Sequence, residues 1–322
     1  MSILVSAEDL RARRRVATGA LAPLAVGLRA ELEPLVANSP EVPTLKAHLS
    51  RAGGRCEQDG ALLAYDPWDA RHRCSMCGRE YAGEAHDRFR LYWHQLWLAE
   101  RVLHAALLGV LLDDRHARAL AATLLDAYAD QYLRYPNRDN VLGPSRPFFS
   151  TYLESIWLLQ LVLALDLLET GAPAAEIDEL GSRVRDRLVA PSAALIASYD
   201  ECMSNRQVWN NAALAAAGIL LGDDRLVEGA LKGRSGLHEH LERALLRDGS
   251  WYEGENYHLF AHRGLWCCVQ IAERHGHDLP PELERRFREG FAAPFRTLLP
   301  DLTYPSRRDS QYAVSVRQPR FA

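Results

Sequence analysis

The chain has 322 residues, 48% of them hydrophobic and 25% charged, which is ordinary globular usage and long enough for a sizeable core. A formal net charge of −4 gives no global basic field, and this argues against nucleic acid as the main partner, because phosphate binding needs clustered Lys and Arg. An anionic ligand would have to be met by local cations in a cleft.

In Met1 to Gly19 the apolar run is only Ile3 to Val5, and charges follow at once, unlike a secretory leader. No uninterrupted apolar stretch approaches the ~20 residues needed to span a bilayer. A cytoplasmic location with no membrane partner is therefore the expectation.

Residues 53 to 83 carry turn residues, short apolar runs and no helical period, so the spacing predicts a small excursion with a hairpin. Within it, Cys56-x-x-Asp59 and Cys74-x-x-Cys77 are separated by residues 60 to 73, the layout of a two-knuckle zinc ribbon. Asp59 stands where a second cysteine would be. Asp is a weaker ligand than Cys, and His72 is an alternative fourth one. Such a site is structural and closed, with no open position for substrate. A remnant knuckle of reduced cysteines is the competing reading. Six cysteines are too few for a disulfide scaffold, and Cys202, Cys267 and Cys268 fall in helical patterns and read as core.

From Asp87 to about Leu299 apolar residues recur at helical spacing. The first stripe runs from Leu91 to Leu112. Others follow over Ala117 to Tyr132, Tyr152 to Leu168, Ile177 to Tyr199, Val208 to Leu221, Leu226 to Leu246, Tyr257 to His275 and Leu283 to Leu299. Gly, Pro or paired Asp separates them, and such short breaks give antiparallel helix pairs. No strict repeat is present, which disfavours a regular solenoid. Periodicity alone does not separate a ring of helix pairs from an open array. Beyond Pro300 the helical period is lost.

Two stretches carry chemistry: Ser204 to Gly222, SNRQVWNNAALAAAGILLG, and Asp248 to Arg263, DGSWYEGENYHLFAHR. With the Leu-Pro-Asp at 299–301, they resemble the heparinase II/III and oligoalginate lyase family, whose members show N-W-Q-x-W-H-N-A-A and then D-G-S-x-x-E-G-x-x-Y-H. The resemblance spans about residues 56 to 312. It implies an all-α fold, an α/α toroid over residues 1–299 that contains the 53–83 excursion. The tail, 300–322, would then lead toward the β-sandwich that usually follows in the family.

The same resemblance implies a lyase that acts on a uronate polysaccharide or oligosaccharide, such as alginate or a glycosaminoglycan, without a catalytic cofactor. Eliminating across a 4-linked uronic acid requires neutralising the sugar carboxylate, removing the C5 proton and protonating O4. Tyr257 matches the family's catalytic tyrosine, and its reference pKa near 10 suits an acid. Asn210 and Asn211 fall where the family pairs His with Asn, so Asn211 keeps the carboxylate-neutralising role while Asn210 cannot act as a base. His258 adjoins Tyr257, but about 100° round a helix. His262, Arg206 and Arg263 are candidate substrate contacts, as are Trp209 and Trp251 for stacking on sugar rings. Arg146 and Glu154, in GPSRPFFSTYLESIW, are candidate contacts from another helix. Glu253 either contacts substrate or closes a capping box with Ser250. Histidines and tryptophans on such helices are, however, commonly core residues.

Two other functions fit the sequence. An unsaturated glucuronyl hydrolase on the same toroid would need carboxylates as acid and base, and Asp248, Glu253 and Glu255 could supply them. A sugar-binding toroid fragment without turnover is the third.

Overall fold

The computed structural model describes residues 2–38, 40–50, 53–309 and 312–317. Residues 310–311 and 318–322 of the expected tail lie outside the described residues. The chain divides into two compact units, residues 1–199 and 200–322.

The first unit opens with two helices outside the expected apolar stripes, α1 (Ala7–Ala17) and α2 (Ala22–Ala37). The start of α1 is set by a capping box in which Ser6 accepts from the Asp9 N–H and Asp9 accepts from Ser6. Its buried face is the single residue Leu10, too little for a hydrophobic period to reveal. The excursion forms an antiparallel three-stranded sheet of β1 (Leu63–Asp66), β2 (Asp69–Cys74) and β3 (Glu80–Tyr81), in sequence order.

Next come α3 (Glu84–Leu111) and α4 (Arg115–Gln131), joined across three residues by a turn that Asp114 ends as N-cap, accepting from the Ala117 N–H. So short a turn makes the two helices antiparallel neighbours. Helix α5 (Thr151–Gly171) packs along α3. Among the described helices it alone is long and apolar enough to cross a membrane, yet 72% of its most apolar stretch is buried inside the protein. It also carries Glu154 and Asp166, both hydrogen-bonded within the fold. The unit closes with α6 (Ala174–Val184) and α7 (Ala190–Ala197), continuous through a π turn at Arg185–Val189. Pro191 has no N–H for the carbonyl four residues back, and the Ala190 N–H instead reaches the Arg185 carbonyl.

The second unit is built on α8 (Asn205–Leu221), which packs against α9 (Asp224–Lys232) and α11 (Glu255–Arg274). Ser204 caps α8, and Gly222 ends it in the left-handed conformation, φ 67°. The expected continuous stripe from Leu226 to Leu246 is interrupted at Gly233 to Gly236. A short α10 (Leu237–Glu239) and a π turn at His240–Ala244 follow. Helix α12 (Pro281–Arg296) packs on α11. Beyond it the described part of the tail is not simply extended. It doubles back as a hairpin, with the Tyr304 N–H on the Val314 carbonyl at 2.8 Å and the Val316 N–H on the Leu302 carbonyl at 3.1 Å.

Candidate active site

In the second unit the heads of α8 and α11 are drawn together by one carboxylate. Glu253 Oε2 accepts from the Asn205 N–H at 3.0 Å, the Asn205 amide at 2.9 Å and the Trp251 indole N–H at 2.7 Å. Helix α11 begins two residues later, capped by Gly254 at φ 111°. Ser250 bonds Asp248 instead, at 2.7 Å, so no Ser250–Glu253 capping box forms.

Around this junction lie Tyr257, Arg206, Glu201, Tyr252 and Asp309. The guanidinium of half-exposed Arg206 pairs with the buried Glu201 side chain. Burial raises the Glu201 carboxyl, and Arg206 opposes the shift. Tyr252 donates to the Met203 carbonyl. Tyr257 is partly exposed, with its hydroxyl beside the Asp309 carboxylate. Burial, Asp309 and Glu253 together raise its pKa, and Arg206 pulls the other way. The tail contributes more than Asp309: Arg307 pairs with buried Glu255, and Arg308 donates to the Tyr252 carbonyl at 2.9 Å.

Several expected contacts prove to be parts of the scaffold. Asn210 and Asn211 are buried: Gln207 accepts from Asn210 at 3.2 Å and donates to Asn211 at 2.9 Å, while Asn211 donates to the Ser235 carbonyl at 2.7 Å. Asn211 therefore joins α8 to the loop after α9. Both ring nitrogens of His258 are engaged, Nδ1 accepting from the Trp251 N–H at 2.9 Å and Nε2 donating to the Gly290 carbonyl at 2.8 Å. Burial lowers its pKa to about 4, so it is a neutral core residue with no nitrogen left for a sugar. His262 likewise bonds the Phe287 carbonyl at 2.9 Å and stacks on the His258 ring. Trp251 is fully buried, stacked on His240, and Trp209 is buried against Phe260, so neither offers a sugar platform. Arg263 is exposed but sits six residues beyond Tyr257, about 240° round the helix.

Glu154, in the first unit, is fully buried and accepts from Tyr132, Ser192, Ser145 and the Arg146 N–H at 2.6–2.8 Å, which excludes it as a surface contact. The Arg146 guanidinium is tied to the Tyr135 carbonyl at 2.9 Å. In the excursion Cys56, Asp59, Cys74 and Cys77 lie together, whereas His72 turns away to bond Asp87 at 2.6 Å. Cys202 is not core: it is exposed in the loop before α8, at φ 56°.

The paired helices place the chain, by its likeness to solved structures, in the α/α toroid class of mostly helical folds. An alginate lyase from Bacteroides ovatus superposes with a TM-score of 0.56 at 13% identity, over 95% of this chain and 84% of that one. Alginate lyase A1-III from Sphingomonas species A1 gives 0.50 at 15% identity, over 91% and 77%. In sequence the chain is 28% identical over 173 residues to an exo-oligoalginate lyase of Saccharophagus degradans. It is 26% identical over 190 residues to an alginate lyase of Stenotrophomonas maltophilia. These matches cover 50% and 56% of the chain, and the chain spans about a quarter of each of those relatives, 23% and 24%. No family model matches. The similarity is thus to alginate and oligoalginate lyases, in keeping with the group that the two motifs indicate.

Proposed function

We propose that this chain is the toroid part of a lyase that cleaves 4-linked uronic acid glycans, alginate-type chains first among them, by β-elimination. The observation that carries the reading is the partly exposed Tyr257 hydroxyl within electrostatic reach of the half-exposed Arg206 guanidinium, at the heads of α11 and α8. Arg206, half-exposed, exchanges its Glu201 partner for the sugar carboxylate and stabilises the charge that grows on it as the C5 proton leaves. The C5–H electron pair becomes the C4–C5 double bond as the C4–O4 bond breaks; Tyr257 gives its proton to O4 and takes up the C5 proton in its place, so the hydroxyl is restored. A tyrosine with a raised pKa keeps its proton at neutral pH, the form needed to donate to O4. Arg206 takes the carboxylate-binding role that the sequence pattern gives to Asn211, whose amide is engaged inside the protein. The carboxylates a hydrolase would need are each engaged: Asp248 with Ser250, Glu253 with Asn205 and Trp251, Glu255 with Arg307.

The test is the ultraviolet absorbance of the unsaturated product during incubation with a panel of uronate polymers. The parent chain should generate it, and Tyr257→Phe should lower kcat by about 10²–10⁴-fold, the usual worth of a positioned acid or base. Arg206→Gln should raise KM and lower kcat together. A Tyr257→Phe protein that turns over at the parental rate refutes the assignment.

A further inference from the structure

Away from the α8–α11 junction, the excursion repeats one backbone shape twice. In Cys56–Ala61 the Cys56 N–H donates to the Ala61 carbonyl at 2.8 Å and the Gly60 N–H to the Cys56 carbonyl at 2.9 Å. In Cys74–Arg79 the Cys74 N–H donates to the Arg79 carbonyl at 2.8 Å and the Gly78 N–H to the Cys74 carbonyl at 3.1 Å. The glycines sit at φ 72° and 73°. Both tips therefore turn in the same way, and Asp59 occupies in the first the position of Cys77 in the second.

The four side chains at these positions converge, with all donor atoms within 4.8 Å of one another. Cys56 Sγ and Cys77 Sγ are 3.7 Å apart, and Cys74 Sγ is 3.4 and 3.5 Å from the two Asp59 oxygens. A tetrahedral zinc with Zn–S of about 2.3 Å and Zn–O of about 2.0 Å requires S···S near ~3.8 Å and S···O near ~3.5 Å. The separations are those of a coordination shell.

Hydrogen-bonding groups converge on two of the sulfurs. The Met76 and Cys77 N–H groups point at Cys74 Sγ, at 3.3 and 3.5 Å. The Tyr81 hydroxyl accepts from the Glu57 N–H at 2.9 Å and lies 3.0 Å from Cys56 Sγ, where it can donate to a thiolate. Donors of this kind around sulfur are the outer-shell partners of a metal site. Three thiolates and one carboxylate in a closed tetrahedron select zinc over magnesium or calcium, which take oxygen ligands in larger shells.

We propose that Cys56, Asp59, Cys74 and Cys77 bind one structural Zn²⁺, which the thiols meet by releasing their protons. Its role follows from what the excursion touches. His72 bonds Asp87, Tyr65 bonds His94 at 3.1 Å, Arg90 donates to the Asp66 carbonyl at 2.8 Å and Trp68 packs edge-on against Trp97. The ion ties both tips into one body that clamps the first turns of α3.

The full chain, purified under reducing conditions without added metal, should carry one zinc by elemental analysis. After chelation it should take up Co²⁺ with the intense visible bands of a tetrahedral thiolate site. Cys77→Ser should lose the metal and lower the melting temperature. Asp59→Cys should keep one zinc and release it to a chelator more slowly than the parent, a readout that a merely folded protein would not move. A parent that holds no zinc and gives no tetrahedral Co²⁺ spectrum overturns the proposal, as does one that holds iron instead.

Discussion

The Glu154 carboxylate offers the sharpest test of the fold, because four donors from three places in the chain end on it. Tyr132 and Ser192 bond one oxygen, and Ser145 and the Arg146 N–H the other, with none of the carboxylate exposed. Glu154→Gln keeps the shape but turns one oxygen into an amide nitrogen. Two donors then face a donor, and two charge-assisted bonds of about 1.5–3 kcal/mol each are lost. The expected loss is therefore about 3–6 kcal/mol, a large part of the roughly 5–15 kcal/mol that holds a domain folded. Urea denaturation followed by circular dichroism should show a lower midpoint with an unchanged slope. Adding Tyr132→Phe to Glu154→Gln should cost less than the sum of the two single changes, because it removes one of the stranded donors. A Glu154→Gln protein within about 0.5 kcal/mol of the parent would refute the network. A selective rise in KM at full stability would return Glu154 to the substrate.

Three further outcomes follow from named residues. Burial raises Asp166 to about 6, so its ionised form is disfavoured in the fold and up to about 3 kcal/mol of stability is lost as pH rises from about 4 through 6; Asp166→Ala should remove that slope from a denaturation-versus-pH series. Burial lowers His94 and His258 to about 4, so the stability they contribute is present above the unfolded value near 6.5 and lost as pH falls toward 4; replacing both with Gln should flatten that part of a denaturation-versus-pH series. At Gly264 an added Cβ would lie 2.9 Å from Val208 and 3.3 Å from Trp209, so Gly264→Ala should force α11 off α8 and cost about 1–3 kcal/mol by thermal denaturation.

The helices with wide apolar stripes were legible from sequence because burial and period coincide, as in α4, α5, α8 and α11. Helix α1 was not, since one buried leucine makes no period and its start is set by a Ser–Asp cap. The break at Gly233 to Gly236 was read through because apolar residues continue on both sides. Of the candidate site, the motif-bearing segments were found but not the fate of each side chain. Nothing local in Asn211, His258 or Trp251 tells that its polar atoms are already engaged by Ser235, Gly290 or Glu253. Asp309 went unseen for the opposite reason: it reaches Tyr257 from the tail, and only tertiary folding makes them neighbours. The cysteine cluster was readable because its ligands come in two short-range pairs.

The tail hairpin gives the order of synthesis a bearing on the tyrosine. Ribosomes add roughly 5–20 residues per second, so Asp309, 52 residues after Tyr257 (309 − 257), emerges about 3–10 s later. During that interval α8 and α11 can pair while Tyr257 lacks the carboxylate beside it and Glu255 lacks Arg307. A nascent chain halted before Arg307 thus holds the helix pair with its two acidic and basic partners still to come, and the electrostatic setting of the hydroxyl is among the last features of this unit to be completed.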